Sequence, residues 1–271
     1  MRSLVRFLAG SLFLFWSFTS WAGSDTAITW YGHAAFKIVT PEGHVLLIDP
    51  WITNPANPKG KEDLASIDKA DLILVTHGHF DHVGDSVAIA RRTGAKLVST
   101  YDLGRSLIRN AGFPKDQAGF DTQGNFGGEI TLLNGEVKVA FIPAVHSSDV
   151  SNDEGVHSGG NPGGFLISIK NGPAIYHTGD TDLFGDMALV PHFHKVDIMM
   201  TCIGDHFTMG PIRAAEAVGL VKPSMVIPMH FGTFPILSGT PETFGQALKK
   251  NHSSATLKVL HPGETFHWLT P

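Results

Sequence analysis

The chain of 271 residues contains a single cysteine, Cys202. With only one thiol no internal disulfide can form, so the fold has no covalent cross-link. Cys202 stands inside an apolar run that is typical of a strand, which favours a role as a small core residue. A metal site in this protein is therefore expected to use nitrogen and oxygen ligands.

Charged residues are also scarce. They make up 17% of the sequence, and 20 basic residues against 25 acidic ones give a formal net charge of −5. A nucleic-acid-binding surface needs clustered positive charge to neutralise phosphates, and this composition does not favour one. We therefore expect a small-molecule substrate and no nucleic-acid partner.

Long apolar runs are confined to the N-terminus. Two arginines precede an apolar stretch over residues 7–18, and Ser20 and Ala22 are the small residues that a signal peptidase requires. The pattern predicts a cleaved signal peptide over residues 1–22, a mature domain over residues 23–271, and a periplasmic or secreted location. A retained anchor is the alternative, but the stretch is shorter than the roughly 20 apolar residues of a transmembrane helix. No stable membrane insertion is expected after cleavage.

The first half of the mature chain begins with short strand-like runs. AITWYG, AAFKIVT and HVLLIDP predict antiparallel strands, and DLILVT is an apolar run too short for a helix, which predicts a strand buried on both faces. DSVAIARRTG and DLGRSLIRNAG then predict two helices that end at glycines. Asp85 is the expected N-cap of the first helix.

The second half repeats this order. Asn134-Gly135 is a strong hairpin signal, SSDVSNDEGVHSGGNPGG predicts a mobile loop, and FLISIK and AIYHTGD predict strands. Strands then alternate with helices that begin near Pro211 and Pro241, and TLKVLHPGETFHWL predicts one last strand. Two β-rich stretches, each followed by strand and helix alternation, predict one α/β domain with two sheets and helices outside.

The most informative segment is VTHGHFDHVGD, residues 75–85, which places three histidines and two aspartates where an apolar run ends. A solvated polar loop is the simplest alternative for this segment alone. Three more residues with metal-binding side chains also follow apolar runs: His146, Asp180 and His230. Strand ends at one edge of a sheet lie close in space, so we expect these side chains to converge on one site.

HGHFDH, followed by an isolated His, an Asp and a final His, resembles the HxHxDH signature of the metallo-β-lactamase superfamily. More narrowly, THGHFDHVGD, HTGDTDLFGD, GDHFTMGP and PMHFGTFP are similar to metal-dependent hydrolases related to the UlaG-like lactonases and to the N-acyl-phosphatidylethanolamine phospholipase D branch. The resemblance covers the chain from about residue 27. It implies a four-layer αββα sandwich with a dinuclear metal site at one rim, and it is compatible with a homo-oligomer.

The resemblance also assigns ligands to two metal ions. It places His77, His79 and His146 on the first metal, Asp81, His82 and His230 on the second, and Asp180 as a bridge. Two divalent ions about 3.5–4 Å apart lower the pKa of a shared water towards neutrality and polarise the oxygen of the substrate. Asp180 and Asp81 are therefore also catalytic candidates, Asp81 as a proton acceptor. The ligand set suits Zn²⁺ first, with Mn²⁺, Fe²⁺ or Ni²⁺ as alternatives.

Further residues are candidates for supporting roles. Asp49 matches a superfamily aspartate that orients a ligand histidine or contacts the ligand loop. His33 and His177 lie in segments that match near the rim, where a structural role, a ligand-supporting role and a substrate contact all stay open. His206, next to Asp205 after an apolar strand, is a catalytic candidate that would line a pocket.

Hydrolysis of an ester-type bond is the activity that the resemblance implies, in a carboxylic ester, a lactone or a phosphodiester. True β-lactamases of the superfamily lack an aspartate at the position of Asp180, and flavodiiron relatives carry glutamate at the position of His79. A non-catalytic metal-binding or sensing protein on the same scaffold is the alternative. His157, in the glycine-rich segment, is interpreted as a solvated residue or part of a lid.

Overall fold

The computed structural model describes residues 25–269. The predicted signal peptide, residues 1–22, lies outside the described residues. Within residues 25–269 no helix is both long enough and apolar enough to cross a membrane.

Short strands form most of the regular structure. The strands within residues 25–269 are β1 (Thr26–Trp30), β2 (Phe36–Val39), β3 (Val45–Ile48), β4 (Leu72–Leu74), β5 (Lys96–Thr100), β6 (Gln123–Gly124), β7 (Glu129–Leu132), β8 (Val137–Pro143), β9 (Asp149–Asn152), β10 (Gly155–Ser158), β11 (Gly163–Ile169), β12 (Ala174–His177), β13 (Ile198–Cys202), β14 (Met225–Met229), β15 (Thr256–Leu257) and β16 (Thr265–Trp268).

Helices connect these strands. The described α-helices are α1 (Gly60–Ala65), α2 (Phe80–Val83), α3 (Ser86–Thr93), α4 (Tyr101–Ser106), α5 (Val190–Phe193), α6 (Pro211–Val221) and α7 (Pro241–Lys250). A π-helical turn, Leu107–Ala111, extends α4. Helix α6 begins with Pro211 and α7 with Pro241, as predicted, because proline lacks the N–H that is unpaired in the first turn of a helix.

Two seven-stranded sheets carry the fold. The first has the order β16-β1-β2-β3-β4-β5-β6 and the second β15-β14-β13-β12-β11-β8-β7. Each sheet is antiparallel on one side and parallel on the other, with β3 to β6 parallel in the first and β12 to β15 parallel in the second. The strand directions place the carboxyl ends of β1, β3 and β4 at one edge of the first sheet, and those of β8, β12 and β14 at one edge of the second.

The side chains of the central strands alternate between two apolar cores, one between the sheets and one between a sheet and its helices. In β3, Leu46 and Ile48 pack in the core between the sheets with Phe165 of the second sheet. Leu47, between them, packs on the other face of the sheet with Ile89 of α3. Side chains alternate faces along a strand, so an entirely apolar strand such as β3 can be buried on both sides. The predicted four-layer αββα sandwich is confirmed.

Three local predictions differ from the structure. The segment after His146 is not a mobile loop throughout, because β9 and β10 pair as an antiparallel hairpin. The last predicted strand is divided: β15 pairs with β14 in the second sheet, and β16 pairs with β1 in the first. Asp85 occupies the N-cap position of α3 but makes no capping bond, since its carboxylate accepts hydrogen bonds from Thr53.

Candidate metal centre

The ligand-type residues predicted from the sequence follow strands that end at the same edge of the sandwich. His77 follows β4, His146 follows β8, Asp180 follows β12 and His230 follows β14. The turn after His77 contains a close approach: a Cβ at Gly78 would lie 2.6 Å from the backbone oxygen of Asp149. A glycine there lets the backbone after β8 come close to the histidine turn.

The first cluster contains His77, His79 and His146, whose potential ligand atoms lie within 4.8 Å of one another. The Thr76 hydroxyl donates to Asp49 Oδ2 at 2.7 Å and therefore accepts from His77 Nδ1 at 3.0 Å, which leaves His77 Nε2 unprotonated. His79 Nε2 lies 3.3 Å from Asp149 Oδ1, so the proton of that ring faces a carboxylate and Nδ1 is unprotonated. Carboxylates commonly fix ligand histidines in this way.

These proton positions make the contact between His77 and His79 informative. His77 Nε2 and His79 Nδ1 are 2.9 Å apart. Two unprotonated nitrogens have no proton to share, so they do not hydrogen-bond. Their approach is the arrangement expected of two ligands of one cation.

The second cluster contains Asp81, His82 and His230, joined by His33. His82 Nδ1 lies 2.7 Å from Asp49 Oδ2, so the proton sits on Nδ1 and Nε2 faces the site. His230 Nε2 is 3.8 Å from Asp81 Oδ2. The Asp49 carboxylate also accepts from the Thr76 amide at 2.8 Å, so it contacts both His82 and the backbone of the histidine turn. That Asp49 orients a metal ligand stays a prediction.

Asp180 lies between the two clusters. Its Oδ2 is 3.0 Å from His230 Nε2, 3.3 Å from His82 Nε2 and 3.7 Å from His146 Nε2. This carboxylate therefore contacts histidines of both groups, which is the position that a bridging ligand requires.

Several buried nitrogen and oxygen atoms of the two clusters lack hydrogen bonds, and these atoms show whether the site is suited to a cation. His82 Nε2, His230 Nε2 and Asp180 Oδ1 are buried, and among the described residues none of them makes a contact with hydrogen-bond geometry, although both nitrogens lie close to Asp180 Oδ2. Unpaired buried polar atoms are costly and rare in folded proteins. Imidazole and carboxylate donors that remain unpaired around one space fit a divalent metal ion.

Electrostatics prepare the same residues for metal binding. Burial holds the pKa of His77 well below its usual value and also lowers the pKa of His146, so both rings are neutral, which is the form that can bind a metal ion. Burial alone would raise the pKa of Asp180, but His230 and His82 outweigh it and hold that pKa well below its usual value. Burial would likewise lower the pKa of His82, but Asp180 and Asp49 hold it well above the usual range. A cation at Nε2 would replace that proton.

A cavity of about 750 Å³ opens onto both clusters. Its lining includes His79, Asp81, His146, Asp180 and His230. Metal sites that only support structure are closed, whereas catalytic ones leave room for water and substrate. The arrangement is therefore suited to metal-assisted hydrolysis.

Comparison with known proteins identifies the family. Residues 44–231 match the model of the beta-lactamase superfamily domain. The chain belongs to this superfamily. It is 61% identical over 243 residues to the UPF0173 metal-dependent hydrolase of Thermodesulfovibrio yellowstonii, covering 89% of this chain and 91% of the relative. It is 56% identical over 246 residues to a UPF0173 metal-dependent hydrolase of Anaeromyxobacter sp. strain K, covering 90% and 87%.

A solved structure agrees with this assignment. Igni18, described as a novel metallo hydrolase from the archaeon Ignicoccus hospitalis, superposes with a TM-score of 0.78 at 36% identity. The match covers 90% of this chain and 98% of Igni18. The protein is thus a metal-dependent hydrolase with the metallo-β-lactamase fold.

His33 contributes more to the site than its sequence context indicated. It is fully buried, its Nε2 lies 3.0 Å from Asp81 Oδ2, and its Nδ1 lies 2.8 Å from Thr233 Oγ1. Burial and the neighbouring His230 lower the pKa of His33 to about 4, so the ring is neutral. A neutral ring next to an ionised Asp81 donates from Nε2 and accepts the Thr233 hydroxyl proton at Nδ1. His33 therefore orients Asp81.

The remaining candidates lie outside the two clusters. His177 is buried; its Nδ1 accepts from the Gly179 amide and its Nε2 donates to the Ala34 carbonyl, which braces the backbone before Asp180. His206 is exposed with its ring against Phe207, and within residues 25–269 the ring makes no hydrogen bond to the clusters. The cavity is lined by its neighbour Phe207 and not by His206. A catalytic role for His206 therefore stays a prediction. His157 lies on β10 and contacts Asn152.

Proposed function

We propose that this metal-dependent hydrolase holds two divalent cations, Zn²⁺ by preference, and hydrolyses an ester-type bond in a carboxylic ester, a lactone or a phosphodiester. The observation that carries the proposal is the position of Asp180 between two groups of histidines. His77, His79 and His146 would hold one ion, and Asp81, His82 and His230 the other. When bound, the pair would lower the pKa of a water molecule and polarise the scissile bond.

Asp81 is the proposed proton acceptor. Its side chain is 14% exposed and lines the cavity, so it can reach both substrate and solvent. Burial raises the pKa of Asp81, but the hydrogen bond from His33 and the nearby charges of His82 and His33 together outweigh it and hold the pKa below the usual value. The carboxylate is therefore ionised at neutral pH, ready to take a proton from the attacking water and pass it to the leaving oxygen.

Rigid placement supports catalysis rather than metal storage alone. The side chains of the proposed ligands are oriented by hydrogen bonds with Asp49, Thr76 and His33. Precise orientation of reacting groups can raise the rate of the catalysed reaction by several orders of magnitude. The open cavity gives a substrate access to the clusters. The alternative, a metal-binding or sensing protein without turnover, would not need a cavity that gives a substrate access to the clusters.

Elemental analysis with a substrate panel tests the proposal. Residues 23–271 would be purified, loaded with Zn²⁺, and assayed with p-nitrophenyl acetate, a lactone and bis-p-nitrophenyl phosphate. We expect about two metal equivalents and hydrolysis of at least one substrate. Asp180→Ala should lower both metal content and activity, while Asp182→Asn, an exposed neighbour paired with Arg213, should change neither. Full metal content with no turnover of any substrate would favour the non-catalytic alternative.

We also propose that the protein is exported and acts in the periplasm or outside the cell. The basis is the sequence of residues 1–22. Cell fractionation of the full chain, with a version lacking residues 1–22 as control, tests this. A homo-oligomer is a further proposal, and sedimentation of residues 23–271 measures it.

A further inference from the structure

The walls of the cavity differ in chemistry. On the side of His79, the lining contains the polar residues Ser147, Asp149 and Ser151, from β9 and the segment just before it, together with Ala111 and Val150. On the side of Asp81 and His230, it is apolar. The apolar lining residues on that side are Phe80, Phe207, Phe234 and Ile236.

The apolar side is built from packed aromatic rings. Trp51 stacks on Phe234 with ring centres 5.9 Å apart and meets Phe80 edge-on at 5.6 Å. His33, which orients Asp81, contacts both Trp51 and Phe234 edge-on. The aromatic wall is therefore joined directly to the residues of the second cluster.

This wall leaves large apolar side chains in contact with water. Phe80 is 69% exposed, Phe207 58% and Ile236 50%. Isolated exposed apolar residues are ordinary, but several at the mouth of one cavity indicate a surface that a ligand covers. The rings stand beside the clusters, within one cavity, so the covering group belongs to the molecule that reaches the metals.

Apart from the proposed metal ions, the described lining of this cavity offers a substrate no basic side chain of lysine or arginine. None of the described residues that line it is lysine or arginine, whereas three are aspartates: Asp81, Asp149 and Asp180. Arg213, at the start of α6, is paired with Asp182. A second anionic group on a substrate would meet carboxylates or aromatic rings and no cation, which disfavours it.

We infer, on the basis of the proposed function, that the substrate carries an extended apolar group and no charge outside the scissile group, and that a neutral carboxylic ester or lactone fits this cavity best. The apolar group lies against Phe80, Phe207, Phe234 and Ile236, and the polar end faces Asp149 and Ser151. Water adds to the carbonyl carbon, the bond from that carbon to the alkoxy oxygen breaks, and the alcohol leaves with the proton, giving a carboxylic acid. Phe80 and Phe234 determine specificity.

A binding series tests the inference without turnover. Zn²⁺-loaded protein would be titrated calorimetrically with acetohydroxamic and octanohydroxamic acids, which share a metal-binding head and differ in chain length. Burial of even part of the longer chain should tighten binding at least about tenfold. Phe80→Ala and Phe234→Ala should each reduce that ratio about threefold or more at unchanged metal content. Phe120→Ala is the control, because Phe120 is 82% exposed and does not line the cavity.

A substrate series gives the second readout. With p-nitrophenyl acetate, butyrate and octanoate, kcat/KM should rise with chain length, and p-nitrophenyl hemisuccinate should be a poorer substrate than the butyrate. Ile236→Lys, at an exposed position of the wall, should raise the hemisuccinate-to-butyrate ratio about tenfold by supplying the missing cation.

The outcomes separate the inference from the proposed function. Hydroxamate affinity that rises with chain length while no ester is hydrolysed supports the apolar subsite and defeats the proposed activity. Ester hydrolysis combined with equal affinity for short and long hydroxamates overturns the inference and leaves the activity standing. Unchanged chain-length ratios in both phenylalanine variants would also overturn it.

Discussion

Asp49 Oδ2 lies 2.7 Å from His82 Nδ1 and 2.7 Å from the Thr76 hydroxyl, so one buried carboxylate orients histidines of both clusters. Its backbone has a φ of 43°, in the left-handed region, which turns the side chain at the end of β3 towards the site. Mutation of residues that hydrogen-bond to metal ligands commonly lowers the affinity for the metal 10–100-fold.

Asp49→Asn should therefore weaken metal binding about 10–100-fold, because an amide cannot accept from all three donors that the carboxylate pairs. Competition with a fluorescent Zn²⁺ chelator measures the affinity. Asp182→Asn is the control, since this residue is exposed and pairs with Arg213 outside the clusters. An affinity equal to that of the unmodified protein would exclude the orienting role.

His33→Asn should lower the metal content from about two equivalents to about one. The substitution removes the hydrogen bond to Asp81, and asparagine tolerates the φ of 52° at this position. The first cluster should keep its ion because it does not contain His33. Elemental analysis after dialysis is the measurement, with His157→Asn as control; retention of both ions would contradict a positioning role.

Gly78→Ala should disrupt the histidine turn. The added Cβ would lie 2.6 Å from the Asp149 carbonyl oxygen, and backbone on both sides must shift. We expect a loss of about 1–3 kcal/mol in the free energy of unfolding together with weaker metal binding. Gly219→Ala in α6 is the matched control: its Cβ meets nothing within 4 Å, and stability should rise by about 0.5–1 kcal/mol. Equal stability of the two variants in urea titrations would refute the close-contact argument.

Glu136, at the edge of the sandwich opposite the clusters, is expected to make a contribution to the free energy of unfolding that depends on pH. Its buried carboxylate accepts from the Glu42 amide at 2.9 Å and contacts His44. Burial raises the pKa of Glu136, but the hydrogen bonds from Thr40 and His44 outweigh it and lower that pKa below 4.5. Its stabilisation is therefore fully present above about pH 4.5 and is lost as the pH falls through the lowered value.

Glu136→Gln should accordingly cost about 1–2 kcal/mol in the free energy of unfolding at pH 6. The difference from the unmodified protein should shrink as the pH falls through the lowered pKa, where the native carboxylate becomes protonated. Urea titrations from pH 3 to pH 7 measure this, with the exposed Glu62→Gln as control. A difference that is independent of pH would rule out the ionised hydrogen-bonded carboxylate.

The sequence predicted the site because its ligands follow apolar strands. His77, His146, Asp180 and His230 each stand just after a strand, and the strands end at one edge. His33 shares this signal, since it comes three residues after β1, but it lies 44 positions before His77 and outside the HxHxDH spacing. Its contact with Asp81 depends on how β1 pairs across the sheet, which spacing alone does not determine.

Other details depended on tertiary contacts. The β9–β10 hairpin is polar and lacks apolar alternation along SNDEGVHS, so its pairing gave no sequence signal. The last segment reads as continuous strand, yet Pro262 and Gly263 separate β15 from β16 and send them to different sheets. Local patterns predict elements well where burial imposes a period and poorly where pairing partners are distant.

Anomalous X-ray diffraction at the zinc edge, from crystals of Zn²⁺-loaded protein, tests the central claim most directly. We expect two peaks about 3.5–4 Å apart. The first should contact His77, His79 and His146, the second Asp81, His82 and His230, and Asp180 should reach both. A single peak, or two peaks without a shared contact to Asp180, would contradict it.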